Sequence, residues 1–120
     1  MTTPLGLIES QFADIVWQNA PLTTRHLVEL CEEKLNWKRT TTYTVLKKMC
    51  VRGIFQMENK TVTVLRSKDE FLADCCECFV DRNLGGSLPA FLAAFSSNRR
   101  LSADDVQELK AMIAEYEAQN

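Results

Sequence analysis

The chain has 120 residues, 46% of them apolar and 25% charged, a composition that excludes disorder and fits one ordinary domain or a small domain with a helical extension. No apolar run reaches membrane-spanning length and the start lacks the basic-then-apolar layout of a signal peptide, so the expected location is cytoplasmic with no membrane insertion. The net charge of −2 argues against a polyanion partner only until it is divided: residues 1–33 carry net −4, residues 34–68 carry nine Lys or Arg against one acid for net +8, and residues 69–120 carry net −6.

Residues Leu7 to Asn19 place Ile8, Phe12, Ile15 and Val16 at helical spacing, with Glu9, Gln11 and Asp14 outward and Pro21 as the stop. Trp17, near the end of this first helix, is expected to bury its body and keep its indole N–H paired. A second helix follows, capped by Thr23 or Thr24 and carrying Leu27, Val28, Leu30 and Cys31 on its apolar side until about Leu35-Asn36. His26 is the only histidine and lies alone on that helix, which leaves little for acid–base or metal chemistry.

After a short break at Leu35 to Lys38 comes the most informative stretch, Trp37 to Gly53. On a helix, Thr42, Val45, Leu46, Met49 and Cys50 form one face, Thr40, Tyr43, Thr44 and Lys47 the other, with Thr41 and Lys48 along a flank. The helix has no acid. Threonine is a mediocre helix former, so its repetition here calls for a compensating use, and short hydroxyl and methyl groups let a helix approach base edges closely. Gly53 suits a left-handed C-cap. Ile54 to Met57 and Thr61 to Arg66 read as strands joined at Glu58-Asn59-Lys60, a hairpin wing whose Lys60 and Arg66 can reach a sugar-phosphate backbone.

Ser67 can cap a fourth helix with Asp69 and Glu70 in its first turn. Phe71, Leu72, Cys75, Cys76, Cys78, Phe79 and Val80 cover more circumference than one burial partner needs. Leu84-Gly85-Gly86-Ser87 breaks the helix, Leu88 to Phe95 is a short apolar helix, and Ser102 to Asp105 resembles a capping box ahead of a last helix striped with Val106, Leu109, Ile113 and Tyr116. Apolar surface of this extent with no sheet to cover it predicts a homodimer through Phe71, Leu72, Cys75, Phe79, Leu88, Phe91, Leu92, Phe95, Val106, Leu109 and Ile113.

Together these residues resemble the bacterial penicillinase-repressor family of winged-helix regulators of β-lactamase, methicillin-resistance and copper genes. The resemblance is carried by the first helix ending in Trp17, Pro21-Leu22-Thr23, Trp37 with Thr41 and Thr44, Leu46-Lys47-Lys48-Met49, Arg52-Gly53, then Gly85-Gly86, Leu101-Ser102 and the acidic last helix with Leu109. It implies a mainly α winged helix-turn-helix, residues 1–68, followed by a helical dimerisation region, residues 69–120. It also implies a homodimeric repressor on a pseudo-palindromic operator, relieved by a signal. The implied DNA-contacting set is Lys38, Arg39, Thr40, Thr41, Tyr43, Thr44, Lys47, Lys48, Lys60 and Arg66, with the Thr pair facing bases. The chain departs from the family in carrying Lys38 and Arg39 where a Ser or Thr cap and a Pro are usual, and Val62 and Val64 where the wing commonly has tyrosines.

In β-lactam-responsive relatives the signal is cleavage at an Asn-Phe bond, under a membrane sensor-protease acting indirectly. The nearest position here is Ala94-Phe95. The five cysteines, 31, 50, 75, 76 and 78, read as reduced thiols. Cys75 and Cys78 point the same way on a helix, so a two-fold axis could gather four thiolates for a soft metal ion, although the paired Cys-x-Cys motifs of copper-responsive relatives are missing after Leu101. Burial, metal binding and thiol redox sensing remain open for this cluster; otherwise no cofactor is expected. An interaction module that kept the fold and lost DNA contact is the reading of a different class. An enzyme is not expected, because one His, no paired carboxylates and no Gly-rich phosphate loop leave nothing to catalyse with.

Overall fold

The computed structural model describes residues 2–120, which form two compact units, one ending at Cys78 and the other Phe79–Asn120. In the first, α1 (Leu7–Asn19), α2 (Thr24–Leu35) and α3 (Arg39–Val51) pack on a small antiparallel sheet of β1 (Leu22–Thr23), β2 (Phe55–Glu58) and β3 (Thr61–Val64), in the order β1-β3-β2. The helix α4 (Lys68–Leu84) follows, then α5 (Leu88–Asn98) and α6 (Ala103–Gln119). This is the mainly helical winged-helix architecture that the sequence predicts.

The apolar periodicity of the first three helices converges on one core: Phe12 and Val16 from α1, Leu27 and Cys31 from α2, and Leu46 and Met49 from α3, closed by Ile54, Phe55 and Val62. Each fully buried side chain of this size stabilises by about 1.5–3 kcal/mol. Trp17 behaves as expected of an indole at a helix end: its ring lies edge-on to Phe55 at 5.6 Å, and its Nε1 donates to the Arg66 carbonyl at 3.0 Å. Trp37 stacks on Phe12 at 5.7 Å, fixing the turn between α2 and α3. Ile8, expected on the inner face of α1, is instead exposed, because the helix has barely begun and the core starts a turn later at Phe12.

Local chemistry sets the ends of the elements. The Thr23 hydroxyl accepts from the His26 N–H at 3.1 Å and caps α2. At the end of α3 the Gly53 N–H donates to Cys50 and the Ile54 N–H to Met49, the paired bonds of a Schellman closure, with Gly53 at φ +77°. The strands β2 and β3 run Phe55 opposite Val64 to Glu58 opposite Thr61, leaving Asn59 and Lys60 as a two-residue turn with φ of +52° and +59°, the signature of type I′. The short β1 pairs Leu22 with Val62 and Thr23 with Thr61, a strand that two residues could not announce in sequence.

Ser67 and Glu70 form a reciprocal box at the start of α4, each backbone N–H donating to the other's side chain, and the backbone N–H of Ser67, helped by its hydroxyl, holds the Glu70 carboxyl below the usual carboxylate range. Lys68 reaches Asp14 of α1 at 2.9 Å. Phe71, expected at a dimer face, is instead only 3% exposed and belongs to the first unit's core, its ring 6.0 Å from that of Trp17. Cys75, from the same set, is half-buried against that core.

In Phe79–Asn120, Ser87, expected only as part of the break after α4, caps α5, and the capping box of Ser102 with Asp105 opens α6, as the sequence predicts. Phe79 meets Phe91 edge-on at 6.4 Å, and Phe91 meets Phe95 at the same distance. No described residue of α5 or α6 is fully buried.

Candidate nucleic-acid interface

Helix α3 divides as its sequence does. Thr42, Leu46 and Met49 are buried, whereas Thr40, Thr41, Thr44, Lys47 and Lys48 are exposed along the opposite side. Thr42 turns its hydroxyl back to the Lys38 carbonyl at 3.3 Å, a core threonine with its donor satisfied. Thr44 donates to the Thr40 carbonyl at 2.9 Å, which commits its proton and leaves lone pairs and a methyl group facing outward. Such a residue can touch a thymine methyl or accept from a base amino group.

Around the start of α3 the elements build a groove of about 840 Å³ from Thr24, Arg25, Val28, Glu29, Arg39, Tyr43, Met57, Asn59 and Lys60. The Thr24 N–H donates to the Lys60 carbonyl at 3.0 Å, pinning the hairpin tip to the start of α2. Arg39 lies over the Tyr43 ring at 5.6 Å. A hydrogen bond with the Thr24 side chain, with Arg39 and Lys60 adding positive charge, holds the Tyr43 phenol below its usual range. Lys38, Arg39, Lys47, Lys48 and Lys60 are exposed, and among the described residues none has an acidic partner within salt-bridge distance. The surface therefore offers free cations flanking a strip of hydroxyls, the arrangement that complements phosphates on either side of base edges.

Nine of the ten expected contact residues share α3, the turn before it or the hairpin tip. Arg66 is held elsewhere: its guanidinium pairs with Asp74 of α4, its carbonyl receives Trp17, and its Nε is buried. Its charge is spent joining the wing to α4, which removes it from the expected phosphate contacts. Thr24, Arg25 and Asn59 line the groove but escaped the sequence reading; the hydroxyl-capped start of α2 was the signal available for the first two.

Of the remaining expected dimer residues, Leu72, Phe79, Leu88, Phe95 and Ile113 are exposed, and Phe91, Leu92, Val106 and Leu109 are half-buried. Ala94 and Phe95, the expected cleavage position, are exposed but lie within α5, so a protease would meet helix there rather than an extended strand. Among the described residues no group of three or more His, Cys, Asp or Glu is placed to hold a metal ion; Cys76 is exposed, Cys75 and Cys78 are half-buried, and burial pushes the Cys75 thiol up. Among the described residues no helix is long and apolar enough to cross a membrane.

The profile of the family described as penicillinase repressor matches residues 5–115, nearly the whole chain. No curated protein matches this chain.

Proposed function

We propose, from the premise that the chain belongs to the penicillinase repressor family, that it represses transcription as a cytoplasmic homodimer seated on a pseudo-palindromic operator. The observation that carries this reading is the outward face of α3: Thr40, Thr41, Thr44, Lys47 and Lys48 are exposed together, beside Arg39, Tyr43 and Lys60, with no acid paired to their charges. Thr41 and Thr44 read bases, and the Lys and Arg residues hold phosphates. In keeping with the family's description as repressors, the chain acts as a regulator and not as an enzyme.

Self-association is supported by the second unit, where Phe95, Met112, Ile113 and Tyr116 are between 41% and 70% exposed and no residue of α5 or α6 is fully buried. With residues 1–68 binding DNA and residues 69–120 pairing protomers, each half-site contact becomes intramolecular once the other has formed. A signal that loosens the pairing region would therefore release the operator. Thiol or soft-metal chemistry at exposed Cys76 and its neighbours Cys75 and Cys78 is one such signal, and cutting at Ala94-Phe95 after local opening of α5 is another.

Footprinting of the full chain on the DNA flanking its own gene tests the proposal. Two protected half-sites one helical turn apart are expected, lost on addition of a thiol oxidant, a soft metal ion or, in cells, a β-lactam. Protection no stronger than on random DNA would refute it in favour of an interaction module.

A further inference from the structure

Three of the five cysteines fall within a single turn in the middle of α4. At about 100° per residue, Cys78 comes round to within about 60° of Cys75, one turn along, whereas Cys76 lies about 160° away from Cys78 on another side. Burial follows the same division: Cys75 and Cys78 are half-buried and Cys76 is exposed. Cys75 rests against the core of the first unit, beside Trp17, Phe71 and Leu72, so the turn that carries the pair is anchored by packing. Both members of the pair belong to that unit, which ends at Cys78.

This spacing chooses between the chemistries open to two thiols. Helix neighbours three residues apart hold their Cβ atoms about 5–6 Å apart, whereas a disulfide needs about 3.5–4.5 Å, so oxidation of the pair would have to distort a hydrogen-bonded turn. A straight sulfur–metal–sulfur bridge with bonds of about 2.3 Å separates its sulfurs by about 4.6 Å, a span that both side chains reach from an undistorted helix. Zinc would want four ligands, and among the described residues no third His, Cys, Asp or Glu joins the pair. We propose that Cys75 and Cys78 of one chain form a two-thiolate site for a single soft ion of the class that takes two sulfurs in line. Each thiol gives its proton to water as its bond to the ion forms. The site narrows the thiol or soft-metal signal of the repressor reading to one chemistry, and it rests on that reading only for its regulatory use, because neither cysteine lies on the outward face of α3.

Hg(II) offered to the reduced full chain, without DNA and against excess glutathione, is the test. One ion per chain is expected to survive gel filtration, with two sulfur neighbours in line by X-ray absorption, because two thiolates on one turn outcompete single thiols by at least about tenfold. Cys75→Ser and Cys78→Ser should each lose that advantage, whereas Cys76→Ser should keep it. Equal loss in Cys76→Ser, or full retention in Cys78→Ser, would overturn the pairing. One ion per two chains with four sulfur neighbours would overturn the two-ligand site in favour of one shared between protomers. Zn(II) held as tightly as Hg(II) would overturn the coordination argument, as would diamide closing a disulfide between Cys75 and Cys78 as fast in the native chain as in urea. The ion count and coordination on the unaltered chain decide the matter even if Cys75→Ser does not fold. A retained ion with no footprint on DNA would defeat the repressor reading alone, and a footprint with no retained ion would defeat this proposal alone.

Discussion

Replacing Lys47 and Lys48 together by alanine probes the electrostatics of the proposed interface. Five exposed cations per protomer, Lys38, Arg39, Lys47, Lys48 and Lys60, are free of acidic partners, so a dimer engaging all of them neutralises about ten phosphates. Counterion release then gives log K a slope of about −9 against log salt, and the double variant, four contacts short, a slope of about −5. Between 50 and 200 mM salt the unaltered protein should lose affinity by about 10⁵ and the variant by about 10³. Filter binding on a duplex carrying the footprinted site measures both slopes, with Lys110→Ala on α6 as a charge-matched control that should not change them. An unaltered slope in the double variant, or an equal change in the Lys110 control, would show that the face of α3 does not carry the contact.

Thr41→Ala and Thr44→Ala should each cost about 1–3 kcal/mol on the preferred operator and less on random DNA; equal losses on both would move these hydroxyls from bases to phosphates. Lys60→Gly should relieve a left-handed lysine at φ +59° and stabilise the fold by about 0.5–1 kcal/mol while weakening DNA binding, so a variant that melts earlier would contradict the turn's geometry. Trp17→Phe removes the indole's bond to the Arg66 carbonyl and should lower stability by about 1–2 kcal/mol, seen by circular dichroism as a lower urea midpoint with the same m-value. A thiol reagent near neutral pH should label Cys76 first, since burial pushes the Cys31 and Cys50 thiols up and so shrinks their reactive thiolate fraction; labelling of Cys31 before Cys76 in the native protein would sink this ordering.

The first helix is legible in sequence to the residue, because Phe12, Ile15 and Val16 repeat with the helical period and Pro21 stops it. Helix α3 separates into core and free faces for the same reason, and Gly53 marks its end by conformational need. What periodicity could not convey is pairing across distance. The strand β1 exists through Val62 and Thr61, residues far along the chain, and its own two residues carry no repeat. Arg66 has the same charge whether it faces a phosphate or Asp74, so composition alone placed it at the interface. Phe71 belonged to an apolar set too broad for one face, and only the aromatic partner Trp17 reveals which side it takes. The groove at Thr24, Arg25 and Asn59 likewise arises from three separate elements that meet only in the fold.

Both indoles, Trp17 and Trp37, lie in the unit that ends at Cys78, while Phe79–Asn120 has Tyr116 as its sole phenol and no indole. Intrinsic emission excited at the red edge is consequently a reporter of the amino-terminal unit alone. Melting of the carboxy-terminal helices would be silent in that signal and visible in far-ultraviolet ellipticity, so a mismatch between the two traces measures how independently the halves come apart.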